Sequence, residues 1–205
     1  MPRRRQLVQL LAGLVAAGFG IALTVRSNLG LGPWDVLHQG VAERSGISMG
    51  SVVFGVGVVV LALWVPLRQR IGLGTVLNVI VVGAALDVFL AVLPEPHGPV
   101  ARWSLLATGV VAVGLGSGLY LGAGLGSGPR DGVMTGLARR GMSVRVARTG
   151  IELSALVGGW LLGGTVGVGT LVFALAIGPL VQLFLERFTL VAPSPDPVAV
   201  TAGAG

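Results

Sequence analysis

The sequence predicts an all-α membrane protein of six transmembrane helices, arranged as two inverted three-span repeats that each carry a short helical segment behind a Gly-Pro break. Three observations predict it. Of 205 residues, 53% are hydrophobic and only 11% are charged, with a mean hydropathy of +0.89; a water-soluble domain carries about 25% charged residues. The stretch Leu29-Gly30-Leu31-Gly32-Pro33-Trp34-Asp35 returns 96 residues later as Leu125-Gly126-Ser127-Gly128-Pro129-Arg130-Asp131. The charges around the two copies differ as opposite membrane orientations require.

Taken in order, Arg3 to Arg5 precede the first apolar block, 7–25, and put the basic residues 1–6 on the cytoplasmic side. This start has the charge order of a signal peptide, but Thr24-Val25-Arg26 offers no small-x-small cleavage site, so the block reads as the first span. The Gly-Pro break and a short segment, 33–45, follow, and blocks 50–66 and 75–93 complete a first unit over 7–93. Residues 94–102 form an external loop with Arg102 as its only basic residue, whereas Arg68 and Arg70 mark the preceding turn as internal. The second unit, 103–190, repeats the order with blocks 103–123, 149–166 and 168–185 and a short segment at 129–141. Most blocks approach the roughly 20 residues that cross a hydrocarbon core. The Pro-rich tail, 191–205, is expected to be disordered and cytoplasmic.

The repeat extends beyond the motif. At the same offset Gly13, Val15, Ala16, Gly18, Gly20 and Leu23 match Gly109, Val111, Ala112, Gly114, Gly116 and Leu119, and Gly40 and Arg44 match Gly136 and Arg140. One deletion shifts the offset to 95, where Ser48 matches Ser143 and Gly72-x-Gly74-Thr75 matches Gly167-x-Gly169-Thr170. Three crossings per unit is an odd number, so the second unit enters from the opposite side if the short segments do not cross. From Arg26 to Ser48 the charges sum to zero, and from Arg130 to Arg148 they sum to +4. Eight spans with parallel repeats would require the short segments to carry Asp35, Glu43, Arg44 or Arg130, Asp131, Arg139 and Arg140 across, at roughly 2.5–3.5 kcal/mol per charge at the bilayer centre.

In each motif the glycines permit unusual backbone angles, and the proline suits the first turn of a helix. Asp35 and Asp131 then fall near the third helical position, where a carboxylate meets exposed N–H groups. They either stabilise the helix start or, with Gly32, Pro33, Gly128 and Pro129, form a half-membrane element at a polar cavity. Asn78 and Asp87 interrupt the third block, and Gln182 is the repeat partner of Asp87. Gly83 and Gly178 lie four residues before Asp87 and Gln182, which places these polar groups on helix interfaces as hydrogen-bonding or pathway residues. Asp87 is the expected proton or cation coupling group. Arg148 and Glu152 suggest a local ion pair. The stripes Gly114, Gly118, Gly122 and Ala12, Ala16, Gly20 read as packing faces, and the Gly-rich faces could also join copies in a homo-oligomer. Trp34, Trp64, Trp103 and Tyr120 suggest an interfacial belt, and Trp160 a packed ring.

A net charge of +6 and a pI near 11.6 are also found in nucleic-acid-binding proteins, but here all fourteen basic residues are arginines dispersed between apolar blocks, an orientation signal and not a binding face. With no cysteine there is no thiolate metal site or thiol nucleophile. His38 and His97 are isolated, and there is no nucleotide loop, zinc motif or nucleophile elbow. No catalytic residue, metal or cofactor is expected, and the chain reads as a non-enzyme whose partners are the bilayer and a small solute or ion.

The stretches Gly30-Leu31-Gly32-Pro33-Trp34-Asp35-Val36-Leu37-His38-Gln39-Gly40, Pro66-Leu67-Arg68-Gln69-Arg70 with Gly72-Leu73-Gly74-Thr75-Val76-Leu77-Asn78, and Gly122 to Gly132 resemble the YczE/YitT-type family of bacterial multi-span membrane proteins. The resemblance covers roughly residues 7–190. It implies a bacterial plasma membrane location and supplies no substrate. Two functions follow as expectations: a small secondary transporter or permease-like protein with a site between the units, or an accessory membrane protein in which the polar residues serve only packing and capping.

Overall fold

The structure is a computed structural model that describes residues 3–190, so the tail expected at 191–205 lies outside the described residues. Among the described residues it is all-helical. The first half comprises α1 (Arg4–Ser27), α2 (Pro33–Ser45), α3 (Met49–Ala62), α4 (Trp64–Leu67) and α5 (Leu73–Val92). The second comprises α6 (Gly98–Gly122), α7 (Pro129–Ala138), α8 (Val144–Leu161) and α9 (Val168–Phe188). The motif prolines occupy the first position of α2 and α7, with Gly32 and Gly128 as extended N-caps. Ser48 and Ser143 cap α3 and α8, each accepting from the backbone N–H three residues on at 3.2 Å.

Among the described residues, five helical stretches are long and apolar enough to cross a membrane: α1, α3 continued through α4, α5, α6 and α9. The expected block at 149–166 is displaced. α8 begins five residues earlier, taking in Arg145 and Arg148 ahead of Glu152, and stops at Leu161 before a turn in which Gly163 has φ +106°. Its charged first half removes the continuous apolar run. The link between the halves is also shorter than expected, because Pro99 sits in the first turn of α6 and the helix starts at Gly98.

The centre of the molecule is an antiparallel pair, α1 on α6. A Cβ on Gly13 would lie 2.8 Å from the Gly116 carbonyl oxygen, and one on Gly20 would lie 2.7 Å from the Gly109 carbonyl oxygen. Gly13 and Gly109 are repeat partners, as are Gly20 and Gly116, so one contact is the symmetry copy of the other. The packing face of α1 runs through Gly13, Ala17 and Gly20, not the expected Ala12, Ala16, Gly20 stripe, since Ala12 is exposed. The α6 stripe packs on α9: Gly114 faces Leu180, Gly118 faces Phe184 and Gly122 faces the Phe188 carbonyl. α5 packs on the other side of α1. The buried core follows this layout, with Leu10, Leu14, Ala17, Val82 and Tyr120 around α1, and Leu106, Val110, Val113, Phe173 and Ile177 between α6 and α9.

The two halves also exchange their loops. The Gly74 amide at the start of α5 donates to the Leu125 carbonyl at 2.8 Å, and the Gly169 amide at the start of α9 donates to the Leu29 carbonyl at 2.7 Å. Gly74 and Gly169 are repeat partners, as are Leu29 and Leu125. Each Gly-x-Gly-Thr segment therefore docks the other half's Gly-Pro break. Gly30 and Gly126, with φ +113° and +131°, adopt the left-handed backbone that lets the breaks bend into these docks.

Candidate functional site

The first turns of α2 and α7, which follow the two Gly-Pro breaks, converge on one central cavity of about 120 Å³. Roughly 10–15 Å³ of such space holds one water, so the cavity has room for a small solute. Its lining comes from α1, α2, α3, α5, α6, α7 and α9. Four repeat-related pairs contribute together: Ala17 with Val113, Ile21 with Ser117, Trp34 with Arg130, and Asn78 with Phe173. The cavity thus lies where the two halves meet, but its chemistry is one-sided, because most of the paired residues differ in polarity.

The polar end supplied by α2 is the first turn and a half after Pro33. Asp35 and His38 are 8% and 9% exposed, three residues apart on one face of the helix, with Nδ1 of His38 3.6 Å from Oδ1 of Asp35. That nitrogen is buried without a hydrogen-bond partner, and so is Nε1 of Trp34. Unpartnered buried polar atoms are uncommon in native proteins and call for a water, an ion or a ligand. Here both belong to residues that line the cavity.

Across the cavity, Arg130 stands at the start of α7. Its Nε lies 4.0 Å from Oδ1 of Asp131. Oδ2 of Asp131 and the Tyr120 hydroxyl both lie beside Gly128, 3.2 and 3.0 Å from its Cβ position. α7 is fixed from behind by Trp64, whose indole Nε1 donates to the Pro129 carbonyl at 2.7 Å.

The sequence-derived residues divide accordingly. Asp35, Asn78, Gly128 and Pro129 line the cavity; Gly32 backs it, its Cα packed against the Phe173 ring, Pro33 starts α2, and Asp131 adjoins it behind Arg130. Asp87 does not line it. Its carboxylate receives the Ser48 hydroxyl at 2.5 Å and the Gly50 amide at 2.7 Å, so it caps the N-terminus of α3 from α5. Gly83 permits this approach, with its Cβ position 2.5 Å from the Gly50 carbonyl. Gln182 lies on the exposed face of α9 and donates to Glu186 at 3.2 Å. Gly178 faces open space, so the second copy of the Gly83 face is not a helix interface.

The reason lies in the partners. Position 145, equivalent to Gly50, is an arginine, and α9 carries Pro179 where α5 has Ala84. α3 packs along α5, whereas α8 has no comparable interface with α9. Trp64 and Tyr120 are buried at 2% and 6% exposure, so only Trp103 of the expected belt is openly exposed; Trp160, expected to pack, is 62% exposed. Arg148 and Glu152 do pair, at 3.2 Å.

His38, Arg130, Ser117 and Tyr120 were not singled out by sequence as site residues. The signal for His38 was its spacing of three from Asp35. For Arg130 it was the one charged substitution inside an otherwise shared motif. A second space of about 550 Å³ lies between α2, α7 and α8, lined by Leu37, Leu137, Met142 and Ile151 among others. Trp34 lines both spaces.

Residues 4–186 match a family described as one of unknown function, DUF6198. An uncharacterised protein of Haemophilus influenzae is 42% identical over 178 residues, 86% of this chain and 82% of the relative. The uncharacterised membrane protein YczE of Bacillus subtilis is 33% identical over 181 residues, 86% of this chain and 83% of the relative. The uncharacterised protein YyaS of Bacillus subtilis is 27% identical over 181 residues, 84% of this chain and 89% of the relative. No solved structure matches the chain.

Proposed function

The chain belongs to the DUF6198 family, a YczE-type group of bacterial membrane proteins, and from that premise we propose that it is a small secondary transporter or permease-like protein with its solute site in the central cavity. The observation that carries this reading is the convergence of the first turns behind both Gly-Pro breaks on one cavity whose α2 wall holds two buried polar atoms without partners. Irregular backbone at membrane depth is tolerated where it is buried in protein or lines water, and transporters built from inverted repeats place paired broken helices around a midplane site. The step from architecture to transport is analogy; the unpartnered polar atoms are the local support for it.

The topology that goes with this reading has six crossings, α8 included, in two inverted units, with both termini cytoplasmic in the plasma membrane. The antiparallel α1–α6 pair, the exchanged loop docks and the charge contrast between the motif loops support it. The coupling role expected of Asp87 passes to Asp35 and His38, the titratable pair facing the cavity.

Because the chain has no cysteine, single cysteines test both parts. A thiol at Ser117 should react with a small water-soluble maleimide in membranes if the cavity is a solute route. Thiols at Ser45 and Met142 should be labelled from opposite faces of the membrane. A Ser117→Cys thiol inert in the folded protein and reactive after denaturation would leave the polar residues as packing groups of an accessory protein.

A further inference from the structure

We infer that the central cavity selects a small dipolar solute with a compact apolar body, its anionic group held by Arg130 and its cationic group by Asp35. The inference rests on the reading of the cavity as a solute site and adds the substrate class.

Arg130 is the first argument. Its closest acidic partner, Asp131, stands 4.0 Å from Nε, at the outer limit of an ion pair, and among the described residues it donates no hydrogen bond. A guanidinium carries five N–H donors in a planar fork suited to a carboxylate. Asp131 Oδ2 meanwhile lies beside Gly128, on the same side as the Tyr120 hydroxyl. The fork, 40% exposed at the cavity wall, has no hydrogen-bond acceptor among the described residues, and a solute carboxylate or similar planar oxyanion would supply one.

Asp35 is the second. It accepts no hydrogen bond from a described residue, and its nearest partner is His38 at 3.6 Å, beyond hydrogen-bond distance. A buried carboxylate in that position is satisfied by a cationic donor. The third is the asymmetry of the frame. Trp34, Ile21 and Phe173 occupy the positions that correspond to Arg130, Ser117 and Asn78 in the opposite half. A solute with two unlike ends matches a site with two unlike ends. A solute with one charge would leave either Arg130 or Asp35 facing it uncompensated, which is costly at membrane depth.

Size sets the body. The cavity of about 120 Å³ compares with the engineered void of about 150 Å³ that holds benzene, and Val53, Val56, Val79, Val82 and Val113 line it between the polar ends.

Three related probes test the inference on the purified full chain by thermal shift: L-2-aminobutyrate, butyrate, which lacks the amine, and propylamine, which lacks the carboxylate. L-2-Aminobutyrate should raise the melting temperature by several degrees at saturation, and each singly charged analogue should raise it clearly less. Arg130→Gln should abolish the aminobutyrate shift. Asp35→Asn should abolish it too while sparing any residual response to butyrate. The comparison of probes on the unmodified protein stands whether or not the variants fold. A propylamine shift equal to or larger than that of aminobutyrate would overturn the inference in favour of a cation site, and an equal or larger butyrate shift in favour of an anion site. If Ser117→Cys labels from water and no probe shifts the protein, the dipolar-solute inference fails while the solute-route reading stands. If that thiol never labels in the folded protein, both fail.

Discussion

The Gly74 amide donates to the Leu125 carbonyl at 2.8 Å, joining the start of α5 in one half to the Gly-Pro break of the other, and the Gly169–Leu29 bond at 2.7 Å repeats it in reverse. Each break is thus held in part by the opposite half. The glycines of these docks serve close approach: a Cβ on Gly169 would sit 2.5 Å from the Gly30 carbonyl oxygen.

Gly169→Ala should therefore destabilise, although alanine is ordinarily the better helix former by about 1 kcal/mol. A backbone oxygen cannot rotate out of the way as a side chain can, so the expected loss is about 1–3 kcal/mol. Gly55→Ala, in the middle of α3 with nothing within 4 Å of its Cβ position, is the contrast and should be neutral or stabilising. Thermal or denaturant unfolding of the two variants compares them. Equal effects would mean that the dock is not under steric constraint.

Asp87 predicts a second separation, of stability from function. Its two hydrogen bonds tie α5 to the first turn of α3, and losing a capping side chain costs about 0.5–2 kcal/mol. Asp87→Ala should lower the unfolding midpoint accordingly. It should leave labelling at Ser117→Cys and the response to solutes unchanged, because Asp87 does not line the cavity. A variant with unaltered stability and lost solute response would restore Asp87 to the coupling role the sequence suggested.

Asp87 also shows where sequence reading succeeded and where it stopped. The duplication, the helix starts at Pro33 and Pro129 and the Gly83 approach were legible, because each depends on residue types at fixed spacing along one strand of chain. The partner that the Gly83 face approaches was not, because it depends on Gly50, 33 residues earlier. Repeat symmetry then misled at Gln182: equivalent positions share a depth, but Arg145 in place of Gly50 removes the close contact that gave the first copy its role. Arg130 was overlooked as a site residue for a related reason. It replaces Trp34 in the repeat and reads as a departure from the motif, whereas in the folded chain the two residues face one cavity.

Trp34 lines both that cavity and the larger space against α8. Removing the indole in Trp34→Ala should join the two and raise the labelling rate at Ser117→Cys several-fold for reagent applied on the side of the 139–143 loop. Reagent from the opposite side should gain nothing. An increase from both sides would show collapse of the packing, and no increase would show that another group closes the route.

The contact behind α7 can be tested through coupling. Trp64 donates to the Pro129 carbonyl, and Gly132 lies so close that a Cβ there would stand 2.1 Å from the indole ring. Trp64→Phe removes the donor at a net cost of about 0.5–1.5 kcal/mol. Gly132→Ala forces ring and helix apart and should cost about 1–3 kcal/mol. In a Trp64→Ala background the space for that methyl group already exists, so the same substitution should cost little or even fill part of the void. The double-mutant cycle should thus depart from additivity by about 0.5–3 kcal/mol, read from unfolding midpoints. Additive losses would mean that Trp64 and Gly132 are not in contact in the folded protein. Because Pro129 precedes Arg130, Trp64→Ala should also weaken any solute response that depends on the guanidinium, and Gly132→Ala should do so only while Trp64 is present.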